Sequence, residues 1–114
     1  MTNQEMLAEL DEHWGMLLDD WDGDGALAPD RLSIEMVKNF LIIENSEANI
    51  DFELMATSGG RMSLFLNEND IYADIEFIPF RGIAFFIKKG EIKLKGTLPS
   101  NEGETIIGLL TAGA

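Results

Sequence analysis

The sequence predicts a single α+β domain over residues 1–114. Two N-terminal helices cover one face of a four- to five-stranded antiparallel meander sheet, and a short C-terminal helix follows. Apolar residues recur every three to four positions up to about residue 44, which is the period of a helix. From Ile50 they alternate with polar residues, which is typical of strands with one solvent-facing side. Turn signals such as Ser58-Gly59-Gly60 separate the alternating segments, so we expect consecutive hairpins.

Two amphipathic helices are predicted before the strands. The first covers residues 4–18, with an apolar stripe of Leu7, Leu10, Trp14, Leu17 and Leu18. The second follows Pro29, is capped by Asp30 or Ser33, and runs to about Glu44. Its stripe consists of Leu32, Met36, Val37, Phe40 and Leu41, flanked by Ile34 and Ile43. The segment 45–49, N-S-E-A-N, interrupts the helical pattern.

The predicted strands occupy the alternating segments 50–56, 62–67, 71–77, 83–87 and 92–95. Lys93 and Lys95 in the last segment suit a protected sheet edge. Residues 100–111 predict a closing helix, although Gly103 and Gly108 disfavour helix formation.

Acidic residues dominate the charge, and they are concentrated in the first half of the chain. The net charge is −13, of which residues 1–57 contribute −12, whereas residues 81–95 carry +4. Phosphate backbones repel so acidic a chain, so we expect no direct nucleic-acid binding and instead a basic protein partner. Acidity that serves only solubility is the simpler alternative. The apolar runs are too short for a membrane span, and the N-terminal residues do not have the pattern of a signal peptide. The sequence contains no cysteine, so no disulfide bond is expected. We therefore expect a cytoplasmic protein without a membrane partner.

The segment 19–30, D-D-W-D-G-D-G-A-L-A-P-D, contains five of the 21 acids and separates the two predicted helices. Asp20, Asp22 and Asp24, followed by Gly25, match the opening of a calcium-binding loop. Position twelve of such a loop should be a bidentate glutamate, and in this chain it is Arg31. Calcium binding is therefore the less favoured alternative. We expect no cofactor. Gly23 and Gly25 permit positive φ, which indicates a turning, structural loop.

Catalytic signatures are absent from the sequence. His13 is the only histidine, which excludes sites built on several histidines, and no nucleophile motif or phosphate-binding glycine loop occurs. We therefore expect a non-enzymatic protein. A hydrolase built on a pair of carboxylates is the less favoured alternative, because acidic residues are numerous but none is marked as desolvated. Trp14 is predicted to pack in the core, and Trp21 to fold back and hold the acidic loop through its indole N–H.

The acidic surface is the predicted partner-binding site. Its candidate contact residues are Glu5, Glu9, Glu12, Asp19, Asp20, Trp21, Asp22 and Asp24. A second acidic set is expected on the solvent-facing side of the sheet, where it would extend the field of the first helix: Asp51, Glu53, Asp74 and Glu76. Carboxylates on a rigid scaffold imitate the phosphates of a duplex and compete for a nucleic-acid-binding groove.

The segment Trp21-Asp22-Gly23-Asp24-Gly25-Ala26, followed by Pro29, resembles a W-D-G-x-G-A…P element of small bacterial and prophage proteins. That resemblance implies an accessory protein of mobile elements. Together with the charge, it leads us to expect an inhibitor of a nucleic-acid-binding complex, such as an anti-CRISPR protein. An antitoxin or immunity protein that neutralises a nuclease toxin is the alternative. The chain is expected to be a monomer or a homodimer, the latter through docking of segment 81–95 on the acidic first helix of another copy.

Overall fold

A computed structural model describes residues 3–44 and 50–111 of the chain. Three α-helices are formed by α1 (Asn3–Glu12), α2 (Arg31–Glu44) and α3 (Gly103–Thr111). Five strands lie between α2 and α3: β1 (Glu53–Ala56), β2 (Met62–Glu68), β3 (Ile71–Ile78), β4 (Gly82–Lys89) and β5 (Ile92–Leu98). Short 3₁₀ helices follow α1 at Trp14–Met16 and precede α3 at Ser100–Glu102. The predicted α+β fold is confirmed.

The first helix ends earlier than its apolar spacing predicts. It stops at Glu12, and after the 3₁₀ turn Leu17 adopts an extended conformation, with φ −72° and ψ 142°. Leu18, predicted to lie on the buried stripe, is therefore 77% exposed, which corrects that prediction. Glycine has low helix propensity, so Gly15 favours the early end. The acidic residues Asp11 and Glu12 in the last turn are unfavourable at the negative end of the helix dipole and do not explain it.

The second helix begins as predicted, with Asp30 as its N-cap. The Asp30 Oδ1 atom accepts a hydrogen bond from the Leu32 backbone N–H at 2.8 Å. Leu32 itself is 48% exposed and does not belong to the buried stripe, contrary to the prediction. The alternative cap, Ser33, is fully buried and contacts the sheet instead. The predicted break at residues 45–49 lies outside the described residues.

The sheet has the strand order β1-β2-β3-β4-β5, and all neighbouring pairs are antiparallel. Alternation fixes which side chains are buried, because the side chains of a strand point to opposite faces in turn. Helices α2 and α3 contact one face, here called the inner face. Strand β1 begins at Glu53, three residues later than the alternation suggests, although the preceding Phe52 is still buried.

The hydrophobic core lies between the inner face and the helices. Helix α2 contributes Val37, Phe40 and Leu41, and α1 contributes Met6 and Leu10. The buried apolar side chains of the sheet are Met62, Leu64, Leu66, Ala73, Ile75, Phe77, Ile83 and Ile87. None of the described helices is long and apolar enough to cross a membrane.

The opposite face of the sheet, here called the outer face, is covered by no described helix. Edge strand β5 is exposed along most of its length and carries the lysines that the sequence indicated for an edge. The outer face is therefore a broad surface in contact with solvent.

Candidate partner-binding surface

The acidic loop, residues 19–30, is closed on itself and docked on the sheet by backbone hydrogen bonds. Within the loop, the Asp20 N–H donates to the Ala26 carbonyl at 2.6 Å. The Leu27 N–H donates to the Ser58 carbonyl at 2.8 Å, and the Asp30 N–H to the Gly60 carbonyl at 2.6 Å. These last two bonds join the loop to the β1–β2 turn. The acidic loop is thus an ordered part of the domain.

Carboxylate side chains hold the interior of the acidic loop together. Asp22 Oδ1 accepts from the N–H groups of Asp24 at 2.9 Å and Ala26 at 3.1 Å. Asp20 Oδ1 accepts from the Gly25 N–H at 2.7 Å. Asp19 Oδ1 accepts from the Ala28 N–H at 2.8 Å and spans the whole loop. Aspartate suits this position because its short side chain reaches nearby backbone donors.

The hydrogen bonds also affect ionisation. Donation from the Asp24 N–H, and then from the Ala26 N–H, lowers the pKa of Asp22 below its ordinary value, because both bonds favour the charged carboxylate. Asp22 is exposed and charged at neutral pH. The acidic loop therefore presents fixed negative charge to solvent.

The acidic loop turns through three residues with positive φ: Asp20 at 66°, Gly23 at 77° and Gly25 at 82°. The two glycines confirm the predicted turning role. Aspartate adopts this left-handed conformation more readily than most residues.

The two tryptophans connect the acidic loop to the end of α1. The Trp21 Nε1–H donates to the Leu27 carbonyl at 2.9 Å, which confirms the predicted anchoring bond. The Trp21 ring lies edge-on to that of Trp14, with centroids 6.0 Å apart. Trp14 packs against the core, and its Nε1–H donates to Glu9 Oε1 at 2.9 Å.

The structure brings together only part of the predicted contact surface. The tryptophan pair places the C-terminal end of α1, with Glu9 and Glu12, beside the acidic loop. Glu5 lies two turns before Glu12 on the helix, about 10 Å away along its axis. Asp24 is exposed at the turn between the glycines. The compact part of the candidate surface is therefore the acidic loop with the end of α1.

Within the described residues, no three acidic or histidine side chains are grouped as a metal site. In the acidic loop, Asp20 and Asp22 direct carboxylate oxygens to backbone N–H groups. Arg31, at the position where a calcium loop has its bidentate glutamate, is the first residue of α2.

The acidic residues of the sheet form a separate surface. Strand register places Glu53, Asp74 and Glu76 on the outer face. That face is turned away from α2 and α3, so these carboxylates do not extend the field of α1, contrary to expectation. Glu76 also contacts Arg61, at 3.6 Å between Oε1 and Nη1.

Two features of the surface were not predicted from the sequence: an exposed phenylalanine and a stripe of aromatic side chains. Phe80 is 95% exposed at the tip of the β3–β4 turn, and its φ is 66°. On the outer face, Phe65, Tyr72 and Phe86 form an aromatic stripe, with ring centroids 5.2 Å and 6.0 Å apart in succession. A signal for the stripe was present, because each of the three is followed by a buried apolar residue: Leu66, Ala73 and Ile87. Cross-strand register was needed to show that they meet.

Comparison of the chain with models of protein families, with curated proteins and with solved structures finds no match.

Proposed function

We propose that the chain is a non-enzymatic inhibitor that binds a basic protein partner through the acidic loop and the adjoining end of α1. The observation that carries this proposal is the rigid presentation of Asp19, Asp20 and Asp22, each held by a backbone N–H in a loop docked on the sheet. The partner is expected to be a nucleic-acid-binding complex, as for an anti-CRISPR protein.

Preorganisation favours binding at this surface. A carboxylate has about four acceptor sites, so an aspartate that accepts one or two backbone bonds still has lone pairs for arginine or lysine donors. Because the loop is already ordered, little conformational entropy is lost when these side chains meet a partner. A half-buried tryptophan at the centre, Trp21, adds the kind of amphipathic contact that dominates many interfaces.

Long-range electrostatics support the same reading. The net charge of −13 attracts a positively charged groove and accelerates encounter with it. Exposed charge pairs are screened by salt, since the Debye length falls from about 10 Å at 0.1 M to about 3 Å at 1 M. Binding should therefore weaken steeply as ionic strength rises.

The test uses asparagine in place of aspartate, because the amide oxygen still accepts the backbone bonds while the charge is lost. The loop variant combines Asp19→Asn, Asp20→Asn and Asp22→Asn. A matched control removes three charges from turns at the opposite end of the sheet, through Glu68→Gln, Asp70→Asn and Glu91→Gln. Both variants change the net charge equally, so a difference between them reports on position.

Immobilised wild-type and variant chains are used to capture proteins from a lysate of the native host, and each captured protein is then purified and its affinity measured. Loss of three contacts worth about 0.5–1 kcal/mol each should weaken binding roughly 10- to 100-fold for the loop variant, and little for the control. Equal binding by the loop variant and the wild type would overturn the proposal. Capture of a nuclease toxin that is encoded next to this chain would assign the antitoxin alternative.

A further inference from the structure

The outer face of the sheet carries a charge pattern that the proposed function does not use. One cross-strand row reads Glu53, Phe65, Asp74, Phe86 and Lys95 from β1 to β5. The adjacent row reads Asn67, Tyr72, Lys88 and Lys93. Strands β1 and β3 thus contribute carboxylates to this face, and β4 and β5 contribute lysines.

The aromatic stripe lies between these two halves. Phe65, Tyr72 and Phe86 belong to the three central strands β2, β3 and β4, and all three side chains are partly exposed. An apolar centre with a charged periphery is the common anatomy of a protein interface. A single domain can leave aromatic side chains on a solvent-facing sheet, but rings that stay in water do not gain the free energy of burial. Packing against another surface would supply that free energy.

The basic half is unfavourable within one chain. Lys88 lies directly opposite Lys93 in the β4–β5 register, and like charges at such positions destabilise a sheet. Among the residues described, the ion pairs involve Lys38 and Arg61 rather than these lysines. Carboxylates from outside the chain would relieve this repulsion.

We propose that the outer faces of two copies of this chain pack together in a symmetric dimer. A two-fold axis parallel to the strands reverses the strand order of the second sheet. Strand β1 of each copy then lies over β5 of the other, so that Glu53 faces Lys95, and the two aromatic stripes meet in the middle. A uniformly basic or acidic partner would meet like charge at one edge of this face, whereas a second copy is complementary at both edges. The central strand β3, which carries Asp74 and Glu76, faces its own counterpart across the axis.

The size of the face sets the expected strength. Four strand spacings of about 4.8 Å and seven residues of about 3.4 Å give a footprint of roughly 19 by 24 Å. This footprint, about 460 Å² per copy, is smaller than the roughly 600 Å² per partner at the low end of stable specific interfaces, and two chains of charge −13 also repel each other at low ionic strength. The dimer should therefore dissociate in the micromolar range and be measured at about 0.15 M salt.

Charge-swap variants test the arrangement. The acidic variant carries Lys93→Glu and Lys95→Glu, and the basic variant carries Glu53→Lys and Asp74→Lys; all four positions are exposed. Each variant alone has the same sign of charge on both edge strands, β1 and β5, so it should dimerise at least tenfold more weakly than wild type in sedimentation equilibrium. An equimolar mixture restores opposite charges where β1 of one copy faces β5 of the other, and should form a mixed dimer.

A control separates placement from net charge. Glu68→Lys with Glu104→Lys changes the net charge as much as the basic variant does, but on exposed positions outside the outer face. This control should dimerise at least as well as wild type. Circular dichroism checks that every variant is folded.

The asparagine variant of the acidic loop should dimerise like wild type, so failure of this proposal is distinguishable from failure of the proposed function. Three results would overturn the dimer: a wild-type mass of one chain up to millimolar concentration, variants that dimerise as strongly as wild type, or a mixture that stays monomeric.

Discussion

Replacement of Ser33 by alanine should strongly destabilise the domain, and we expect it to leave the acidic loop intact. The Ser33 hydroxyl donates to the Phe77 carbonyl at 2.6 Å and accepts from the Met62 N–H at 2.8 Å. Ser33 is fully buried, as are Met62 and Phe77. A single hydroxyl thus connects α2 to two strands and completes their pairing at this position.

The magnitude follows from the two backbone groups that lose their partner. A buried donor or acceptor left unsatisfied costs about 1–3 kcal/mol, so the loss of both partners in Ser33→Ala should lower the free energy of unfolding by roughly 2–6 kcal/mol. An unfolding entropy of about 2.1 cal/mol/K per residue gives roughly 0.24 kcal/mol/K for 114 residues. The melting temperature should then fall by roughly 8–25 °C.

Urea unfolding followed by tryptophan fluorescence measures this loss, with an unchanged m-value showing that the same surface is exposed. Ser58→Ala is the control, because Ser58 is exposed and contributes its backbone carbonyl rather than a buried hydroxyl. A loss below about 1 kcal/mol would show that the strands close the gap without the hydroxyl, and the proposed bridging role would be wrong.

Four further outcomes are expected. Gly82→Ala should lower the free energy of unfolding by more than ~3 kcal/mol, because a Cβ there would lie 2.2 Å from the Leu98 carbonyl oxygen and φ is 122°. Gly108→Ala is the control: its Cβ would lie in open space on α3, so this variant should raise the free energy of unfolding by about 0.5–1 kcal/mol. Similar effects of the two substitutions would contradict this reasoning. Phe80→Gly should stabilise the domain by about 0.5–1 kcal/mol in urea unfolding. The positive φ of Phe80 costs about 1–2 kcal/mol for a residue with a Cβ, which exceeds the entropic cost of glycine at this position. A destabilised variant would show that Phe80 supports the fold. Trp21→Phe should lower the free energy of unfolding by about 1 kcal/mol, because the hydrogen bond from the indole to the Leu27 carbonyl is lost. The same variant should lose the exciton signal that the pair of Trp14 and Trp21 gives in circular dichroism. An unchanged signal would exclude coupling between the two rings. Because the pKa of Asp22 is lower in the folded loop than its ordinary value of 3.8, the charged carboxylate stabilises the loop above pH 3.8, and this stabilisation is lost as the pH falls through the lower, folded pKa. Asp22→Asn should therefore make hydrogen exchange of the loop less sensitive to acid. If the variant and the wild type are equally sensitive, other carboxyl groups cause the acid sensitivity.

The strands and the α2 boundary were predictable because they depend on local patterns. Alternation from residue 50 onward reports directly on burial, and Asp30 after Pro29 is a local capping signal. The end of α1 was not predictable in this way. Leu17 and Leu18 continue the helical spacing, but the chain has already left the helix, so the apolar pattern and the backbone disagree.

Long-range partners explain the other differences. Ser33 reads as a cap in the sequence, and only the packing of α2 on the sheet shows that its hydroxyl is needed 44 residues further along the chain. The aromatic stripe depends on cross-strand register, which turn geometry fixes. In the acidic loop, the anchoring role of Trp21 was predictable because a loop indole needs an acceptor, whereas the bonds of the aspartates depend on the exact turn.

The sequential meander has a consequence for how the chain folds. Every strand pairs with its neighbour in sequence, so the sheet is assembled by closing short turns, which is fast. The N-terminal helices, in contrast, make contacts such as that of Asn3 with Leu41, 38 residues away, and that of Ser33 with Phe77. During synthesis the first helix emerges before α2, which packs against it, and long before the strands that complete the core. Residues 1–24 contain eight acids and no base, so mutual repulsion keeps exposed nascent helices of different chains apart until the sheet has formed.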